Sequence, residues 1–291
     1  MLTTYRNKLT LNITMKKLPI IVLLASAPTV VWSDGSPWLP ADGRTTVGVN
    51  VTSGSTEEFF IGEDSIDLGG DLDGTFVWFT ASYGYDDVWA FDVRTGYART
   101  SLSTNPPDLD REDVADTSIG ASYQFTNEFE LDNGVPTISG RIGYTIGGDY
   151  ETDVIEAIGD GASGFDVSLL VGKSLTPQFA VFGDLTFRQR DSGVADGIKY
   201  LFTVYYNSPL PRLGFQLGAA GIRTDSSVDI GDPGFGVEQF PQTDRDSDFL
   251  IFGADYGFTN GIGVGFSYTA LVNGRNVADT DVANVSLSYS F

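Results

Sequence analysis

Eight charged residues occupy polar positions in segments that otherwise alternate between apolar and polar residues, and they are the residues best suited to chemistry. They are Asp92, Arg94, Arg141, Asp166, Asp184, Arg188, Lys199 and Asp255. If the segments are strands, alternation places these side chains opposite the apolar face. Opposed charges in a narrow lumen can bind or orient a polar solute. They can also form a structural hydrogen-bonded network across the lumen, and this is the commoner role of inward charged pairs in a small barrel.

Four of these residues are predicted to form a constriction. Arg94, Arg141, Asp184 and Arg188 come from three different predicted strands, and each lies on the polar face. Unpaired charges in a confined lumen are costly, so opposite signs should converge. We therefore expect the four to be close neighbours, with Asp184 as the carboxylate between arginines.

The composition excludes most kinds of catalytic site. The chain contains no cysteine and no histidine, so the commonest general base and the usual zinc and iron ligands are missing. We predict a protein that is not an enzyme, with no catalytic residue, metal site or cofactor. A net charge of -22 also disfavours nucleic acid as a partner.

Two acidic stretches, residues 54–74 and 102–116, are predicted to be long loops. Their carboxylates are Glu57, Glu58, Glu63, Asp64, Asp67, Asp71, Asp73, Asp108, Asp110, Glu112, Asp113 and Asp116. The alternating Asp108, Asp110 and Glu112 could bind a hard divalent cation through oxygen. Because the glycine spacing of a calcium loop is missing, the sequence favours a solvated acidic surface, bridged by divalent ions to anionic lipopolysaccharide.

The charged positions lie in a chain that alternation divides into twelve predicted strands. We predict strands at residues 44–53, 75–83, 89–101, 117–125, 136–146, 164–173, 179–190, 197–207, 213–223, 249–257, 262–271 and 282–291. Most links alternate between short and long, although 126–135 is long for its side and 191–196 is short. This asymmetry is typical of outer-membrane barrels, which have short periplasmic turns and longer extracellular loops. The predicted fold is an all-β, transmembrane, antiparallel up-and-down β-barrel of about 12 strands.

The apolar faces of the predicted strands fit contact with lipid. Val47, Val49 and Val51 alternate on the first strand, and Phe165 and Val167 do so on the sixth. Aromatic residues concentrate at strand ends, where interfacial girdles occur in membrane barrels. These include Tyr83, Tyr85, Trp89, Tyr97, Phe125, Tyr144, Phe179, Tyr206, Phe258, Tyr268 and Phe291.

The chain ends on an aromatic residue within a strand, with Tyr289 two positions before Phe291. An unprotected edge strand invites aggregation unless it closes onto the first strand. This ending resembles the C-terminal signal by which the outer-membrane assembly machinery recognises its barrel clients, so Tyr289 and Phe291 are the predicted assembly signal.

The N-terminal residues predict a secretory signal. Lys16 and Lys17 precede an apolar stretch at residues 18–31, and cleavage is expected after Ser33. Met15 is a possible true start. The predicted division is therefore a signal peptide at 1–33, a short periplasmic segment at 34–43 and an outer-membrane β-barrel at 44–291.

Several short motifs carry a family resemblance. They are WLPADG at residues 38–43, EEFF at 57–60, SYGYDD at 82–87, GGDY at 147–150 and GDG at 159–161. Together they resemble the Gram-negative outer-membrane family labelled "meta-pathway of phenol degradation", thought to be channels for hydrophobic compounds. The resemblance implies a porin-like uptake channel.

Two functions follow as hypotheses. The first is a channel of the Gram-negative outer membrane for uptake of small hydrophobic or aromatic compounds by passive diffusion. The alternative is a structural or adhesive outer-membrane protein with a plugged lumen, acting through its acidic extracellular loops. The expected partners are outer-membrane lipid and lipopolysaccharide, the assembly machinery and a small-molecule solute.

Overall fold

The structure, a computed structural model, describes residues 35–103, 109–131, 134–154 and 156–291. The predicted signal peptide lies outside these residues, as does Asp108 of the acidic stretch. Within the described ranges, no helix has the length and apolar character needed to cross a membrane.

Twelve antiparallel strands form one closed barrel in which each strand pairs with its neighbours in sequence. The strands are β1 Thr45–Ile61, β2 Asp64–Tyr85, β3 Trp89–Ser103, β4 Leu109–Thr126, β5 Thr137–Ile146, β6 Gly164–Ser174, β7 Phe179–Arg190, β8 Gly197–Asn207, β9 Leu213–Thr224, β10 Asp246–Gly257, β11 Ile262–Arg275 and β12 Asp281–Ser290. One short 3-10 helix, Val237–Gln242, lies between β9 and β10. The predicted fold class and strand number are confirmed.

The barrel closes where the last strand meets the first. β12 pairs with β1 from Thr46 opposite Ser290 to Ser55 opposite Asp281. Phe291 and Thr45 exchange two backbone hydrogen bonds of 2.9 Å each. Closure satisfies the backbone groups that an open edge would expose, which a bilayer-spanning sheet requires.

The outer face carries the apolar rows predicted from alternation. Large exposed apolar side chains occur on successive outward positions, such as Phe165, Val167 and Leu169 on β6. Aromatic rings contact one another at the end of the barrel that holds both termini of the sheet. There Tyr289 stacks on Phe291 with ring centroids 5.4 Å apart. Such a belt suits the interface between hydrocarbon and head groups.

The first hairpin corrects the prediction of a long loop at residues 54–74. β1 and β2 stay paired as far as Ile61 opposite Asp64, with one irregularity between Thr56 and Glu58. Along this extension Asp67, Asp71 and Asp73 are exposed, whereas Leu72 is buried. The pattern is therefore polar outside and apolar inside, the reverse of the lipid-facing zone.

The second acidic stretch is also largely strand. β3 and β4 pair up to Leu102 opposite Leu109, so residues 109–116 belong to β4 rather than to a loop. Asp110 forms a solvent-exposed ion pair with Arg99 at 3.5 Å. A polar, aspartate-rich composition suggested loops in both stretches, but the β3–β4 ladder continues, with Thr100 and Leu102 buried on its inner face.

The inner face is less polar than alternation predicted. Five inward side chains on neighbouring strands β6 to β10 form one apolar cluster, which we call the apolar stripe: Leu170, Phe182, Leu201, Ala220 and Ile251. Trp38 and Tyr205 pack against it. Part of the lumen wall is thus suited to apolar matter.

Candidate functional site in the lumen

A cavity of about 160 Å³, here called the charged cavity, lies inside the barrel. It is bordered by inward positions of several strands and by residues of four connections, 147–163, 191–196, 225–245 and 276–280. Its ionisable lining consists of five basic and three acidic side chains: Arg94, Arg188, Arg190, Lys199, Arg245, Asp116, Asp160 and Asp166. This cationic lining contrasts with the chain's net charge of -22.

Two ion pairs order one wall of the charged cavity. Arg190 binds Asp166 at 3.0 Å, and their side chains are only 4% and 1% exposed. Arg188 binds Asp160 at 3.0 Å, which ties connection 147–163 to β7. Burial would raise the pKa of Asp160, but Arg188, Arg190 and Arg245 together hold it below its usual value. Buried pairs of this kind fix geometry more reliably than they add stability.

Arg245 enters the cavity from connection 225–245, and among the described residues it forms no ion pair with a carboxylate. Its Nε donates to Thr243 Oγ1 at 3.0 Å and its Nη2 donates to the carbonyl of Phe240 at 2.5 Å. Both acceptors are neutral. Burial lowers the pKa of Arg245 to about 10, a shift only partly offset by the attraction of Asp160.

Arg94 marks the boundary between two cavities. Its guanidinium lies over the Trp78 ring, 3.8 Å from the centroid, a favourable cation–π arrangement. Both residues line the charged cavity and also a second cavity of about 240 Å³, here called the polar cavity. The polar cavity is bordered by Asn50, Asp92 and Asn284 among others.

Arg141 bridges two strands across a third. It donates to both oxygens of Asp92, from Nε at 2.9 Å and from Nη2 at 2.6 Å, and its side chain is 1% exposed. The guanidinium crosses β4 at Gly120, where a Cβ would collide with it, and Gly143 leaves it similar room on β5. Glycine at these two positions therefore leaves the space that the Arg141 guanidinium occupies.

The apolar stripe borders a third cavity of about 590 Å³, here called the apolar cavity. Phe182, Leu201 and Ile251 line it, together with Asp255 and Tyr205. Asp255 is the predicted charged residue that lies here rather than in the charged cavity.

Residues 35–38, predicted as part of a periplasmic segment, contact inward-facing side chains. The Pro37 carbonyl accepts hydrogen bonds from Gln124 and from Ser139, each at 2.8 Å. Trp38 Nε1 donates to Glu128 at 3.0 Å. Sequence reasoning missed this contact because the segment has no periodicity that would assign it to a face.

The opposite end of the barrel is covered by an apolar cluster, here called the outer cap. Phe240 of connection 225–245 is 0% exposed and packs with Phe59, Leu72 and Leu102 of the strand extensions. Ile230 and Ala278 complete the buried set. The inverted pattern of the first hairpin therefore supplies the wall against which this connection folds.

The eight predicted site residues all lie on the inner face, in different surroundings. Arg94, Asp166, Arg188 and Lys199 line the charged cavity. Asp92 is bound to Arg141, while Asp184 accepts a hydrogen bond from Thr186 at 2.8 Å. The carboxylate bound to Arg188 is that of Asp160. The constriction of Arg94, Arg141, Asp184 and Arg188 stays a prediction.

Two important residues of the charged cavity, Asp160 and Arg245, lie in connections between the predicted strands, where the sequence predicted no site residue. A signal for each exists in the sequence. Asp160 lies between Gly159 and Gly161, and Arg245 is the one basic residue between Arg223 and Arg275 in a strongly acidic stretch. A single basic residue in such an acidic stretch is therefore a candidate for an inward position.

No protein-family model matches the chain, and no curated protein matches it at a significant level. Among solved structures, the COG4313 outer membrane channel from Pseudomonas putida F1 superposes with a TM-score of 0.69 at 15% identity. That match covers 89% of this chain and 100% of the other.

Two autotransporter domains give weaker matches. The β domain of the Bordetella autotransporter BrkA has a TM-score of 0.51 at 13% identity, over 86% of this chain and all of the other. The translocator domain of NalP from Neisseria meningitidis has a TM-score of 0.50 at 14% identity, over 87% and 90% of the two chains. At these identities the likeness shows the fold, that of an outer-membrane β-barrel.

Proposed function

We propose that this chain is a channel of the Gram-negative outer membrane that takes up small hydrophobic or aromatic compounds by passive diffusion. The observation that carries the proposal is the apolar stripe beside a cavity of about 590 Å³. A barrel that only anchors loops has no need of Phe182, Leu201 and Ile251 on its inner wall. Apolar walls with a few polar groups are typical of small-molecule sites.

The likeness to the outer-membrane channel from Pseudomonas putida F1 supports the location and the channel class. The resemblance to the phenol meta-pathway family supports aromatic compounds as the solute class. We further propose that Tyr289 and Phe291 are read by the assembly machinery, because their stacked rings end the strand that closes the barrel. Lipopolysaccharide is the proposed neighbour of the acidic strand extensions.

A second candidate is a structural or adhesive barrel with a plugged lumen, acting through its acidic outer surface. The outer cap favours it, since Phe240 and its neighbours fill the extracellular end. The contacts of Pro37 at the other end add to the obstruction. The two functions differ in one property, which is the passage of a solute.

Phe182 offers a direct test of the apolar wall. Phe182→Ala should raise the half-saturation concentration for uptake of an aromatic solute about threefold to tenfold, because a ring contact worth about 1 kcal/mol is lost. Uptake of the fluorophore N-phenylnaphthylamine by intact cells expressing each variant measures this. Retained heat-dependent mobility in electrophoresis verifies that each variant is folded.

The matched control is Phe187→Ala, on the same strand but facing lipid, where the side chain is 51% exposed. It should leave uptake unchanged. Equal effects of the two substitutions, or none from either, would show that the solute does not pass along the apolar stripe.

A further inference from the structure

We propose that the charged cavity is a binding subsite for the carboxylate of a small solute with an apolar or aromatic body. The inference rests on the proposed channel function and narrows its solute class. It is carried by three cationic side chains that line one cavity, Arg188, Arg190 and Arg245, of which Arg245 forms no ion pair among the described residues.

The carboxylates of the cavity are already engaged. Asp160 and Asp166 bind Arg188 and Arg190, respectively. Asp116 accepts hydrogen bonds from the Tyr150 hydroxyl at 2.5 Å and from the Gly148 amide at 2.9 Å. No acidic side chain of the described lining forms an ion pair with Arg245, whose acceptors are a hydroxyl and a carbonyl oxygen; Asp160 attracts it only from beyond hydrogen-bond distance.

Two donors of the paired arginines are also unused. Nε of Arg188 and Nε of Arg190 are buried and have no hydrogen-bond partner among the described residues. The Arg190 side chain is only 4% exposed, so water contact is slight. A buried charged donor without an acceptor costs stability, and a rotation of either guanidinium towards a bound carboxylate would relieve that cost.

The other lining residues define the rest of the ligand. Trp78, Ile222 and Phe249 present apolar surface to the same cavity. An inorganic phosphate or a sugar would leave these walls without a partner, whereas an aromatic or alkyl body would cover them. The volume of about 160 Å³ far exceeds the roughly 10–15 Å³ needed for one water. A monocarboxylate with a small apolar body satisfies both parts of the lining.

The test is equilibrium binding to the purified full barrel in detergent, with benzoate as the probe and benzyl alcohol as its neutral counterpart. Trp78 lines the site, so tryptophan fluorescence should report occupancy, with calorimetry as a second readout. Benzoate should bind saturably and about tenfold more tightly than benzyl alcohol, since charge-assisted hydrogen bonds are made by the anion alone.

Arg245→Gln should weaken benzoate about tenfold and leave benzyl alcohol unchanged. Lys199→Gln, on β8 in the same lining, should weaken benzoate in the same direction and keeps the test valid if the first variant disturbs its connection. Arg99→Gln is the matched control, because Arg99 is 64% exposed and pairs with Asp110 outside the lumen.

Equal affinity for benzoate and benzyl alcohol in the unaltered barrel would overturn the proposal, even if neutral solutes still cross the membrane. Benzoate binding that neither cavity variant weakens would overturn it as well. Saturable, variant-sensitive binding of benzoate supports the subsite even if no solute crosses, in which case the channel function alone fails.

Discussion

Replacing Arg141 by alanine is expected to destabilise the folded barrel by about 3–5 kcal/mol, the cost of breaking a buried ion pair by removing one partner. Asp92 would lose two charge-assisted hydrogen bonds, of 2.9 and 2.6 Å. Because Asp92 borders the polar cavity, water can reach it, and we expect the lower part of that range. Urea unfolding in detergent micelles, followed by tryptophan fluorescence, measures the change.

Two further variants separate the pair from a general effect of losing an arginine. The double variant Arg141→Ala with Asp92→Ala should recover part of the loss, since no buried carboxylate then remains unpaired. Arg99→Ala should cost at most about 1 kcal/mol, because its ion pair with Asp110 is solvent-exposed. A loss for Arg141→Ala as small as that for Arg99→Ala would contradict the structural role assigned to the Arg141 pair.

Phe240→Ala is expected to open the outer cap while the barrel stays folded. Truncating a fully buried phenylalanine costs about 3–5 kcal/mol, and here the cost falls on the packing of connection 225–245 against the first hairpin. The strand ladder does not depend on this ring. We therefore predict a several-fold rise in single-channel conductance in planar bilayers and faster proteolysis within connection 225–245.

Phe235→Ala is the control for the outer cap. Phe235 contacts the Phe240 ring at 4.9 Å between centroids, but it is only partly buried. Its truncation should increase conductance less than Phe240→Ala does. Unchanged conductance in Phe240→Ala, with the connection demonstrably loosened by proteolysis, would mean that the outer cap does not limit passage.

Much of the fold could be predicted because a membrane barrel obeys a simple rule. Alternation at period 2 with lipid outside identified the outward rows, and the inward placement of Arg94, Arg141 and Arg188 followed from parity. The rule no longer applies where a strand extends beyond the lipid-facing zone. In β2 the outward positions change from Val77 and Phe79 to Asp71 and Asp73, so the same strand looked like a loop.

The charged cavity was only half predictable for a different reason. Parity can place Arg188, Arg190 and Lys199 on a face, but it says nothing about a connection that folds back into the lumen. Asp160 and Arg245 come from such connections, and their positions depend on contacts between distant parts of the chain. The apolar stripe was missed because the inner face was assumed to be polar, an assumption that Phe182 and Leu201 contradict.

Apolar solutes should pass through this barrel, and uptake into vesicles tests that passage without the complexity of a cell. Vesicles with lipopolysaccharide in the outer leaflet resist apolar compounds, so uptake of N-phenylnaphthylamine can be compared with and without the purified, folded barrel. We expect saturable uptake that depends on the folded barrel and that Phe182→Ala weakens. Uptake equal to that of vesicles without protein, from a barrel shown to be inserted, would contradict it.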